Sequence, residues 1–312
     1  MALATAATAP AAAFCGDGEK PVELAVDWQD GTIEGPKVLA WQNEFNKQLN
    51  GKFCIRVTFN GVETINNLVL LPFASLGSYG REGAVYGLPF AFSDIQAFQK
   101  FEAGPGAAAV RQSLAANGFV PLGAMALGFS QMVAVKPVTQ PGDVAGLKFG
   151  LPANADPLAG WVEDLKATAQ VLQRPAIGEQ IKATKMQATT GGWDVAEALL
   201  AAQPSLSVTQ TNHALKGGVF GANLQWWNAM PAAQRKQIGD AITAATGAVT
   251  ADTQRTERQA RLRLVRKGVP VYLPTETQRK AWQTALAAHM TNLSADPSGL
   301  RILRALDRAN RH

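Results

Sequence analysis

Lys136 to Pro152 reads KPVTQPGDVAGLKFGLP, and the architecture can be worked outward from it. Leu147 to Leu151 is a short apolar run of strand length. Upstream, Phe119 to Val138 holds two apolar runs broken by Gly123, Gly128 and Pro137, which read as strands leaving one lobe and entering the next. Downstream, Leu158 to Thr168 and Val195 to Ala202 have helical spacing, and Pro204 ends the second. Strands alternating with helices predict an α/β fold.

The chain opens the same way. Val22 to Trp28, VELAVDW, alternates as a strand does and halts at Gln29-Asp30-Gly31. Lys37 to Leu49 carries Val38, Leu39, Trp41, Gln42, Phe45 and Leu49 at helical spacing, and Lys52 to Phe59 returns to a period of two. Such a β-α-β unit puts strand ends, where ligands usually bind, beside the loop carrying Asp27 and Trp28. Ser93 to Asn117 is helical in pattern. Pro231 to Gly268 predicts one very long helix, with proline at its start and glycine at its stop, able to bridge two lobes. Val269 to Leu273 reads as a last strand, with closing helices over Glu276 to Leu293 and Gly299 to Asn310.

The 312 residues, 47% of them hydrophobic, allow one large core or two smaller ones, and two α/β lobes suit the pattern better. A net charge of +5 is too mild for a nucleic-acid footprint unless it is concentrated on one face. It is concentrated once, in Arg255, Arg258, Arg261, Arg263, Arg266 and Lys267, with Glu257 the only acid among them. Leu262, Leu264 and Val265 interleave as the buried side of a helix would, so a solvated helix face is the plain reading. A docking patch for an acidic partner is the sharper one. No stacking aromatics accompany the run, so neither reading implies RNA or DNA.

MALATAATAPAAA, before Phe14, resembles the tail of a secretory signal and is expected to be an export remnant. No later segment approaches the roughly 20 continuous apolar residues of a membrane span. The two cysteines, Cys15 and Cys54, favour a disulfide in an exported chain. Two buried free thiols are the alternative, and Ala-Ala-Phe ahead of Cys15 disfavours lipid attachment.

Catalytic and metal motifs are missing. The three histidines, His213, His289 and His312, form no metal-spaced cluster, and there is no nucleophile elbow and no phosphate loop. Asp194 and Glu197, three apart at a helix start, are the most suggestive acidic pair, although first-turn carboxylates also simply complement a helix dipole.

Six ordered fragments carry a resemblance: GLPFAF from Gly87, PGDVAGLK from Pro141, GGWDVAE from Gly191, TNH from Thr211, WWNAMPAAQRKQI from Trp226 and RKGVPVYLP from Arg266. Together they resemble the DctP-type solute receptors of tripartite ATP-independent periplasmic (TRAP) transporters. The resemblance implies a two-lobed α/β periplasmic binding protein fold with a central cleft, hinge-crossing strands and a long lobe-spanning helix. It also implies a periplasmic receptor that captures a small organic solute by hinge closure, works without a cofactor, metal or catalysis, and delivers to TRAP membrane permease subunits. A monomer is expected. The corresponding lobes are residues 21–128 with 214–250, and 129–213 with 251–312, after an extension over 1–20.

The family's central carboxylate-gripping arginine falls on Gly150 in this chain, a second arginine on Ser130 and an amide on Ala198. The interval from Gly61 to Tyr79 is also shortened, so the pocket is expected to be rebuilt. Arg81 and Arg174 are possible substitute cations. The expected ligand-binding set is Asp27, Trp28, Phe90, Ser130, Gln131, Gly150, Trp193, Asp194 and His213. With the clamp missing, the ligand is expected to be neutral, aromatic or cationic, or an acid held by other groups. Two rivals remain at this point: a receptor fold with a degenerate pocket serving as an interaction or sensor protein, and an exported enzyme using Asp194 and Glu197.

Overall fold

A computed structural model describes residues 15–28, 34–49, 51–59, 67–152 and 156–311. The first fourteen residues, the Gln29-Asp30-Gly31 turn and His312 lie outside them, as do the side chains of Arg174 and His289. The strands are β1 (Lys20–Val26), β2 (Phe53–Thr58), β3 (Leu68–Pro72), β4 (Phe119–Ala134), β5 (Lys148–Pro152), β6 (Thr168–Leu172), β7 (Ala188–Gly191), β8 (Ser207–Asn223) and β9 (Val271–Tyr272). The helices are α1 (Glu34–Gln48), α2 (Ile95–Glu102), α3 (Pro105–Ala116), α4 (Asp156–Asp164), α5 (Arg174–Lys182), α6 (Trp193–Ala202), α7 (Leu224–Ala229), α8 (Ala232–Arg266), α9 (Glu276–Ala285), α10 (Thr291–Ser294) and α11 (Pro297–Ala309).

The chain divides into two compact units, one of residues 1–72, 118–127 and 218–251, the other of 73–117, 128–217 and 252–312. In the first, β1 lies between β2 and β3, parallel to both, and β3 pairs antiparallel with the second half of β8. This is the predicted β-α-β opening. Its core gathers Leu24, Val26, Trp41, Phe45, Ile55, Leu70, Phe220 and Ile242, with Trp41 stacked on Phe220 at 4.3 Å. Cys15 and Cys54 form a disulfide with their Cα atoms 5.4 Å apart.

In the second unit, β5 is flanked in parallel by β6 and β7, β7 pairs antiparallel with the end of β4, and β9 pairs with the start of β8. One core lies around Phe149, Leu151, Trp161 and Trp282, another around Ile177, Trp193, Leu206 and Leu264.

The sequence boundaries placed Phe73 to Asn117 in the first lobe, whereas that segment belongs to the second unit. The reason is packing between distant parts of the chain. Gly106 of α3 approaches α11 so closely that a Cβ there would lie 2.9 Å from the Cβ of Ala305. The single helix expected over Ser93 to Asn117 is broken in two, because Pro105 lacks an N–H and so starts a helix instead of continuing one.

The chain passes between units after β3, just before β4, and within β4, β8 and α8. At the β4 passage Gly128 has φ +102°, and at the β8 passage Gly217 has φ +143°, conformations that side chains other than glycine rarely adopt. The long helix is as predicted, and Gly268, with φ +76°, stops it by allowing the left-handed turn.

Candidate functional site

In the second unit a polar network forms around the strained residue Asn212. Its φ is +48°, and Phe90, one element away, has φ +57°. Both are costly conformations for residues with side chains, so surrounding bonds must hold them. Gln131 Nε2 donates to Asn212 Oδ1 at 2.8 Å, and Asn212 N donates back to Gln131 Oε1 at 3.1 Å. Asn212 Nδ2 donates to the Ser93 carbonyl at 2.7 Å, and Phe90 N donates to the His213 carbonyl at 2.8 Å. Three expected ligand residues, Phe90, Gln131 and His213, are thereby brought into one network. Asn212 and Ser93 were not singled out, although TNH already contained Asn212.

His213 is fully buried, its Nδ1 lying 2.6 Å from Thr211 Oγ1. Burial pushes its pKa down to about 3, so the ring is neutral at physiological pH. Its Nε2 has no hydrogen-bond partner, and neither has Nε1 of Trp161, whose ring centroid lies 5.6 Å away. Orphaned buried nitrogens on two neighbouring rings mark a region that can take a polar atom, since each costs about 1–3 kcal/mol while unsatisfied. Phe90 and Trp282, stacked at 5.1 Å, form the adjoining aromatic wall.

The other expected residues lie elsewhere. A Cβ on Gly150 would meet Ile177 Cγ2 at 3.3 Å and Leu172 Cδ1 at 3.6 Å, so α5 covers the position where a clamp would begin. Ser130 is buried in β4. Trp193 is a core residue beside Ile177 and Ile181. Asp194 is exposed near Gly192, where an added Cβ would meet Asp194 Oδ1 at 2.5 Å and Lys216 Nζ at 3.0 Å. Ala198 is exposed as well.

In the first unit, Trp28 packs into the core, and partial burial raises the pKa of Asp27. Of the two substitute cations, Arg81 contacts Asp296 and also Glu82 at 3.1 Å, so it is already engaged. Arg174 begins α5, but its side chain lies outside the described residues.

Glu197 receives two hydrogen bonds from Arg263, both 2.8 Å, which hold its pKa below the usual carboxylate range. A general acid needs the opposite shift. Among the described residues the one cluster of metal-ligand types is Cys15, Glu19 and Cys54, and its two sulfurs are joined to each other.

The model of the family described as bacterial extracellular solute-binding protein, family 7 (DctP) matches residues 24–296. The C4-dicarboxylate-binding periplasmic protein DctP of Vibrio cholerae is 26% identical over 293 residues, covering 88% of this chain and 87% of that protein. A TRAP periplasmic solute-binding protein of Shewanella oneidensis, solved with bound succinate, shares the fold with a TM-score of 0.71 at 19% identity, over 94% of this chain and 100% of that one. A relative from Ochrobactrum anthropi has a TM-score of 0.77 at 16% identity, over 93% and 95%. With a family match spanning most of its length and the two-lobed fold of these receptors, the chain belongs to the DctP family, as a solute-binding receptor of the TRAP type and not an enzyme.

Proposed function

We propose that the protein captures a small carboxylate-bearing solute in the periplasm, as a monomer, and delivers it to a TRAP permease. The observation that carries this is the family match across residues 24–296. The ligands named for its relatives support the carboxylate: C4-dicarboxylates for the Vibrio cholerae protein, and bound succinate, L-malate and galacturonate in solved neighbours. The acid is held by groups other than an arginine on β5, because Ile177 occupies that approach to Gly150. Phe90, Gln131 and His213 of the second unit serve in that role.

Thermal-shift measurements against C4-dicarboxylates, hexuronates, polyols and amines test the ligand class. Carboxylates are expected to stabilise the protein, and stabilisation by polyols or amines alone overturns that part. Uptake into vesicles holding TRAP membrane subunits from the same organism tests delivery. Uptake that does not depend on the receptor overturns it.

A further inference from the structure

The second unit contains a cavity of about 700 Å³ between the Phe90–Asp94 loop, α9 and the end of α11. Phe90 and Phe92 give it an apolar wall, and Arg279 of α9 lines it as well. Several other arginines of this unit are engaged: Arg81 with Asp296, Arg111 with Glu102, Arg263 with Glu197 and Arg311 with Asp307. Lys280, also on the cavity, is paired with Glu276 at 3.0 Å. Arg279 is half-buried; its backbone N–H donates to the Thr275 carbonyl at 2.9 Å, while its guanidinium makes no hydrogen bond or close ion pair with another described residue and is attracted by Asp94. Burial lowers its pKa, which Asp94 only partly offsets.

A guanidinium that has lost water without gaining a partner is unfavourable, and a bound anion removes that penalty. Ser93, on the same cavity, has a hydroxyl oxygen with no partner. Its backbone N–H donates to Asn310 Oδ1 at 2.7 Å, and its carbonyl accepts from strained Asn212. The cavity is thus continuous with the network holding Phe90 and Asn212.

We propose that this cavity is a carboxylate-binding site in which Arg279 takes the acid group and Phe90 and Phe92 take an apolar body. The site supplies the guanidinium that β5 lacks, and in that respect it rests on the receptor reading above. Glu276 and Asp307 hold Lys280 and Arg311, which leaves Arg279 to meet the ligand, and one guanidinium beside Asp94 suits a monocarboxylate with an apolar body better than a dicarboxylate.

Calorimetric titration of the full chain with sodium benzoate, sodium succinate and inorganic phosphate tests the proposal. Benzoate is expected to bind, with at least tenfold weaker affinity in Arg279→Met, partial recovery in Arg279→Lys and no change in Arg301→Met. Unchanged benzoate affinity in Arg279→Met overturns the site, as does equally Arg279-dependent binding of phosphate. Tighter succinate binding that survives Arg279→Met overturns it while leaving the receptor reading intact. Should Arg279→Met fail to fold, a bromobenzoate soak of the unaltered protein decides the matter: bromine density in this cavity supports the site, and its absence there overturns it.

Discussion

Position 150 shows how one residue reshapes a binding wall. An arginine there has to displace Ile177, whose Cγ2 stands 3.3 Å from the first atom of any side chain. Gly150→Arg is therefore expected to destabilise by about 1–3 kcal/mol, as overpacking does, and adding Ile177→Ala should cost less than the two single effects summed. Urea unfolding of the three variants measures this. His213 offers a second test. Its folded pKa of about 3 lies below the ordinary 6.5, so the unfolded chain binds the proton first as pH falls. The stability that neutral His213 contributes is complete above about pH 6.5 and is lost between there and about pH 3, at up to about 1.4 kcal/mol per pH unit. The melting temperature of His213→Gln should fall less steeply than that of the parent over that range. Parallel curves would mean that other groups set the acid response.

Among the elements, α11 anchors the second unit although it comes last in the chain. Its face of Ile302, Ala305, Leu306 and Ala309 is buried, and α2 and α3 pack against it. Ile302→Ala is expected to cost about 2–4 kcal/mol through the cavity it leaves. Gly106→Val should also destabilise, because a Cβ there already meets Phe101 Cε2 at 2.4 Å. Denaturant midpoints check both. The Cys15 to Cys54 link closes a loop of 39 residues' separation and stabilises by about 4 kcal/mol in the loop-entropy picture. Reduction should lower the melting temperature, and Cys15→Ser/Cys54→Ser should remove the effect of reductant. Sequence periodicity was enough to find β1, α1, β2 and the long α8, since each is amphipathic along its own length. It missed β7, whose ATTG is too short and too weakly apolar to show a period, and it joined α2 to α3 across Pro105.

For the whole molecule, a bound solute stabilises by mass action, by about 2.7 kcal/mol at a hundredfold excess over its Kd. A ligand found by screening should raise the melting temperature in proportion to the logarithm of its concentration above Kd, and a shift linear in concentration into the molar range would indicate a general solvent effect instead. The reading as a receptor fold with a degenerate pocket gains nothing from the structure, where a strained network and a charged cavity persist in the second unit. Family and fold were legible from six ordered fragments, most of which mark a turn, a cap or a strand end that the backbone needs locally, while Thr211 to His213 lies within β8. The candidate site was legible only in part. Phe90, Gln131 and His213 do meet, whereas Trp28 and Trp193 are core residues and Arg81 is held by Asp296 and Glu82. By itself the sequence determined the α/β alternation, the long helix and the absence of an arginine at 150, all properties of neighbouring residues along the chain. Only the tertiary structure decided that Ile177 covers that position, that Phe73 to Asn117 joins the second unit, and that Arg279 lines a cavity with Phe90. Each of those depends on side chains far apart in sequence, whose contacts arise from packing and leave no local periodic trace.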